Sequence, residues 1–187
     1  MASQLRRGTL GIVVVGVLLT GCSSSPSGVS AQTYMKTTCA AVVTWLQSIQ
    51  GQVQTFKTQE ASASSLPQAR DELAGLMSEA VHDTDAMTAK IKAVGAPGVD
   101  GGKAVHAKLL AAFAQLRSVL SSAETKARQL PVDDPNAFKQ GAAEIGTQIN
   151  SQFSGVQASF SKFGSNTALD AAAAADPNCQ KLNSSTP

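Results

Sequence analysis

The chain has 187 residues, 15 basic and 13 acidic, with a formal charge of +2; it is 43% hydrophobic but only 4% aromatic. That length gives one ordinary domain with room for a buried core. Near-neutral charge without basic clusters argues against nucleic acid and against an electrostatic membrane patch, and the wealth of Ala, Ser and Gln argues against a strand-rich fold.

The chain opens with a basic head, Arg6-Arg7, followed by an apolar run from Leu10 to Leu19 and then Leu19-Thr20-Gly21-Cys22. Charge, apolar stretch and small residues in that order read as a secretory signal peptide over residues 1–21. The run is about half the length of a membrane span, which needs about 20 apolar residues. Residues 19–22 resemble a bacterial lipobox. The resemblance implies cleavage before Cys22, lipidation of that cysteine as the new N-terminus, and attachment to the extracytoplasmic face of the cell membrane. Arg6-Arg7 also admits a twin-arginine route, but Thr9 stands where that signal carries an apolar residue, which favours general secretion. Cleavage would remove two of the 15 basic residues and no acidic one, leaving 13 against 13 over the 166 residues that follow the first 21 of 187. Residues 22–32, rich in Ser, Gly and Pro, read as a flexible tether spanning ~17 Å on average.

Four apolar stripes at alternating spacings of three and four follow. The first is Met35, Cys39, Val42, Leu46, Ile49, Val53 and Phe56. The second is Leu73, Leu76, Ala80, Thr84, Met87, Ile91 and Val94. Val105, Leu109, Ala112, Leu116, Leu120, Ala123, Ala127 and Leu130 form the third, and Phe138, Ala142, Ile145, Ile149, Phe153, Val156, Phe160 and Phe163 the fourth. The period predicts an all-α domain over 33–182, an antiparallel up-down-up-down four-helix bundle. Ser65 with Gln68, and Asp134 before Pro135, are N-terminal caps; Asp100 is expected to cap the third helix. Gly95 and Pro97 end the second helix and Gly164 the fourth. Thr167 with Asp170 starts a short fifth helix through Ala175, and 183–187 are a disordered tail.

With Cys22 given to lipid, Cys39 and Cys179 remain, and an oxidising compartment pairs them. Four antiparallel helices return the chain to its starting end, so both thiols arrive at the same end of the bundle. The 95–101 loop lies there too, and loops 57–65 and 130–134 lie at the far end.

Residues with catalytic potential do not converge. Glu79-x-x-His82 is half of a di-iron bundle motif, with Asp83 and Asp85 beside it, but no second copy exists. His106, on the third helix, stands about 10 Å from His82 in height. No catalytic residue, metal ligand set or cofactor is expected. Gly98, Gly101 and Gly102 with Asp100 match no phosphate fingerprint. Met35, Met77 and Met87 are read as core. Trp45, at the edge of the first stripe, either lids the core or is a partly exposed contact for a partner. Gly141, Gly146 and Gly155 imply close backbone approach, or alternatively room for an apolar ligand beside Phe153, Phe160 and Phe163.

The lipobox, the Ser/Gly tether, the alanine-rich helical body and the pair Cys39 and Cys179 (the latter in Asp176-Pro177-Asn178-Cys179) together resemble small secreted lipoproteins of high-GC actinobacteria. The resemblance covers the whole chain, is architectural, and carries over no functional residue except Cys22. The expected function is a lipid-anchored, non-enzymatic bundle that binds an envelope or extracellular partner; the alternative is a binding protein for a small apolar ligand in the bundle core.

Overall fold

The computed structural model describes residues 28–161 and 166–184. The signal peptide, Cys22, the first part of the tether and Phe163 and Gly164 lie outside the described residues, as do the side chains of Gly155, Val156 and Phe160. The described chain is all-α. Its elements are α1 (Ala31–Ser62), α2 (Leu66–Val94), α3 (Gly102–Arg128), α4 (Pro135–Ser161), α5 (Thr167–Ala175) and α6 (Pro177–Ser184).

Side-chain caps set most of the boundaries. Ser30 Oγ accepts from Thr33 N and starts α1. Ser65 Oγ accepts from Gln68 N, while Gln68 Oε1 reaches back to the amide of Ser64, one residue earlier than a capping box requires. Gly95, at φ 77°, ends α2 in a conformation that only glycine adopts without strain. Asp134 Oδ1 accepts from the amides of Asn136 and Ala137 and starts α4. Asp100 does not cap α3: Gly101 holds that place at φ 70°, with no side-chain bond. Asn166, rather than Thr167, caps α5 through Ala168 N and Leu169 N. Asp176 caps the eight-residue α6, which the apolar pattern does not announce.

Neighbouring helices run antiparallel: Trp45 meets Thr84 across α1 and α2, and Gln115 meets Gln152 across α3 and α4. The α1–α2 connection is tighter than expected, only residues 63–65. Backbone packing is closest between α1 and α2, α2 and α3, and α3 and α4, while α5 and α6 lie against α1. Across the bundle, Trp45 of α1 stacks on Phe153 of α4 with ring centroids 5.5 Å apart.

This arrangement explains why α1 is buried on two faces. Its expected stripe holds Cys39, which bonds Cys179 of α6, with the buried Met35 and Val42 one turn to either side. The face that meets α2 and α3 is offset by one residue: Tyr34, Thr38, Ala41 and Trp45. Trp45 is 4% exposed, so it is neither a lid nor a surface contact for a partner. Its indole N–H donates to Thr84 Oγ1 at 3.1 Å, and Thr84 in turn donates to Ala80 O. Elsewhere the stripes fall close to expectation. Ala80, Thr84, Met87 and Ile91 are buried on α2, and Leu109, Leu116, Leu120, Ala123 and Ala127 on α3.

The tether docks sooner than expected. Val29 N donates to Ala96 O and Val29 O accepts from Gly98 N at 2.7 Å, a parallel bridge between Val29 and Pro97. A methyl at Gly28 would sit 2.6 Å from Gly98 N, so the close approach needs glycine. Residues 28–30 thus form a strap across the 95–98 loop at the base of the bundle, the end that also holds the disulfide.

The glycines give a paired prediction. A side chain at Gly102 would run into the Pro97 carbonyl, while one at the exposed Gly146 would meet open space. Gly102→Ala should lower stability by about 1–3 kcal/mol, and Gly146→Ala should raise it by about 0.5–1 kcal/mol. Urea unfolding followed by the single tryptophan decides; the reverse order would refute this packing. Close backbone approach therefore holds for neither described glycine of α4: Gly141 leaves room for the Leu130 side chain, and Gly146 faces open space.

Candidate functional site

The residues with chemical potential on α2 point to different neighbours. Asp83 is half-buried, and its Oδ2 accepts from Ser48 Oγ and from Gln52 Nε2 at 2.8 Å, both on α1. Asp85 turns to α3 and meets Arg117 Nε at 2.6 Å. Glu79 is exposed. His82 has a side chain 85% exposed, with Nδ1 3.6 Å from Asp83 Oδ1. The Ser48–Asp83–His82 contacts place the carboxylate between hydroxyl and imidazole. Ser48 is therefore not in the serine–imidazole–carboxylate order of a Ser-His-Asp triad. Asp83 instead holds α1 to α2.

His106 stands apart from His82, at the base of the bundle. Its Nδ1 lies 3.2 Å from Tyr34 Oη, and the two rings meet edge to face. Burial lowers the His106 pKa below its ordinary value. Burial also pushes the Tyr34 phenol up to about 12, with the Thr38 hydroxyl pulling the other way. The folded chain thus holds the phenol proton more tightly than the unfolded chain does. Stability from this group is present below pH ~10 and is lost as pH rises towards 12. Because Tyr34 is the one tyrosine, tyrosinate absorbance reports it alone. It should rise near pH 12 in the native protein and near 10 in urea; a native midpoint near 10 would contradict the burial of the phenol.

Among the described residues, one group of three side chains has the spacing of a metal site: Cys39, Asp176 and Cys179. Its two sulfurs are bonded to each other, and Asp176 caps α6. The group is a structural clamp in its oxidised form. Met35, Met77 and Met87 are buried core residues on two helices. At the glycine-rich loop, Gly98 N bonds Val29 O and Gly102 N bonds Val99 O, so neither amide is free for a phosphate. Asn166 Nδ2 also donates to Asp100 O in this loop, at 2.7 Å.

One surface feature was not legible as a site in the sequence. A groove of about 610 Å³ runs between α1 and α2, lined by Ala40, Ala41, Thr44 and Ala93 between the exposed Lys36 and Lys90. Small residues on both helices let the backbones leave this depression. Lys36 and Lys90 are far apart in sequence and meet only because α1 and α2 are antiparallel.

No known protein family, curated protein or solved structure matches this chain. Fold and site together define an all-α bundle with a disulfide-clamped C-terminal helix pair. No helix among the described residues is long and apolar enough to cross a membrane.

Proposed function

We propose that the chain is an exported, lipid-anchored, non-enzymatic bundle that binds a partner in the cell envelope. Cys22 is the lipidated residue, and the membrane is reached through it. The observation that carries this reading is the strap. By bonding to Ala96 and Gly98, Val29 brings the chain out at the base of the bundle, seven residues after Cys22. The base then faces the bilayer, and the far loops, 63–65 and 129–134, project into the envelope. Helices of 27 to 32 residues set base and far loops roughly 40 Å apart.

The alternative, an apolar ligand in the bundle core, has less room. Of the three phenylalanines beside which such a ligand would sit, Phe153 is already stacked by Trp45, which also meets Phe113 with ring centroids 6.4 Å apart. Photo-crosslinking in cells tests the partner reading. A crosslinker at Ser64 or Asp133 should give a discrete protein adduct, while one at the buried Leu116 gives none. Absence of any adduct from the far loops, together with a thermal shift on adding lipids or apolar metabolites, would favour the ligand instead.

A further inference from the structure

We infer that the base of the bundle is an electrostatic docking surface for an anionic bilayer. Besides Lys181 of α6, the fold gathers there five lysines that the sequence scatters: Lys36 on α1, Lys90 and Lys92 on α2, and Lys103 and Lys108 on α3. Each lies within about 9 Å of rise from the base end of its helix. All five are exposed, and none is in an ion pair among the described residues. Of the 13 acidic residues, only Asp100, Asp170 and Asp176 share this end, and the Asp176 carboxylate is taken up by the α6 cap. The chain is neutral in sum once Arg6 and Arg7 are gone, but its charge is polarised along the bundle axis. The absence of basic clusters in the sequence hides this, because each helix contributes only one or two of the lysines.

The occupant follows from position and charge together. The strap brings the chain out at this same end, and the six residue-to-residue steps from Cys22 to Gly28 reach at most ~22 Å. The lysines therefore sit within reach of the headgroups to which Cys22 would be attached. The groove between α1 and α2, which Lys36 and Lys90 both line, offers a place for a headgroup. Each lysine near an anionic surface strengthens binding about fivefold, and salt screens the effect within a Debye length of about 8 Å. The inference rests on the anchored reading above.

The test uses the full chain purified from membranes and reconstituted in vesicles, with lysine acetylation read by peptide mass. Vesicles are phosphatidylcholine alone or phosphatidylcholine with about a third phosphatidylglycerol. On the anionic vesicles Lys36, Lys90, Lys92, Lys103 and Lys108 should label at least threefold more slowly than on the neutral ones. Lys57, Lys126 and Lys139 at the far end should label equally on both. Salt at 0.5 M should abolish the difference, and Lys36→Glu with Lys90→Glu should weaken the protection of the other three. Equal labelling on both vesicles, or equal protection at both ends, would overturn the proposal. So would the same protection from 10 mM inorganic phosphate without vesicles, which would indicate a free-anion site. The mass of Cys22 in the same sample reports the anchor separately, so failure of one reading is not mistaken for failure of the other.

Discussion

Reduction of the Cys39–Cys179 bond should detach α5 and α6 and leave α1 to α4 folded. The bond joins residues 140 apart, and closing a loop of that length removes about 5 kcal/mol of unfolded-state entropy in the chain-entropy model. Without it, α5 and α6 have nine and eight residues, below the roughly 12–15 that isolated helices need. Their buried residues are Leu169, Ala172 and Cys179. Fully burying a leucine contributes about 2 kcal/mol, against about 1 kcal/mol or more to order each backbone residue. Docking alone therefore does not hold the segment. The bundle does not share this dependence, because Trp45, Phe113, Leu116 and Ile91 pack without the segment. Hydrogen exchange should show protection lost after Asn166 and retained in α1 to α4, with a lower melting temperature. Uniform loss would mean that the bond supports the whole fold. Two separately alkylatable thiols in the native protein would refute the bond itself.

Trp45→Ala should be the most damaging single change in the core, by about 3–5 kcal/mol. The indole stacks on Phe153, meets Phe113 edge-on and donates to Thr84, so it ties α1 to the three other long helices. Aromatic pairs of this kind contribute about 0.5–1.5 kcal/mol each beyond burial. Removing the ring leaves a cavity that neighbours on three helices cannot close together. Trp45→Phe keeps most of the packing and loses the hydrogen bond, which is worth about 1 kcal/mol; Thr84 keeps its bond to Ala80 O. Urea unfolding followed by circular dichroism measures both. A loss below about 1 kcal/mol in the alanine variant would place Trp45 at a replaceable edge.

The sequence made the elements legible because helix signals are local. Ser65, Gly95 and Asp134 act within one turn of themselves, and all three mark boundaries found in the fold. The disulfide was legible because topology and cysteine count agree on the pair. Three features were not, each because it depends on a distant segment. On α1, α5 and α6 cover the expected stripe around Cys39, while the other long helices bury the face offset by one residue, and this moves Trp45 from an edge position to the core. The strap at Val29 depends on the 96–98 loop, so a Ser/Gly/Pro stretch that reads as tether ends in a docked turn. Gly101 displaces Asp100 as the cap of α3 because Gly102 must pass close to the Pro97 carbonyl. The candidate site was legible only in its negative part. His82 meets Asp83 on α2, and His106 meets Tyr34 at the base, so the two histidines stand apart as their positions along the helices imply. The lysine-rich base needed the antiparallel fold to bring it together.

The central claim is that this bundle is held at a membrane by Cys22. Intact mass analysis of the protein from the membrane fraction of the native host tests it most directly. The account predicts a chain that begins at Cys22 and carries added acyl mass, and a Cys22→Ser chain that keeps residues 1–21 and gains none. A mature protein that retains residues 1–21, or one recovered free in the medium without acyl mass, would contradict it.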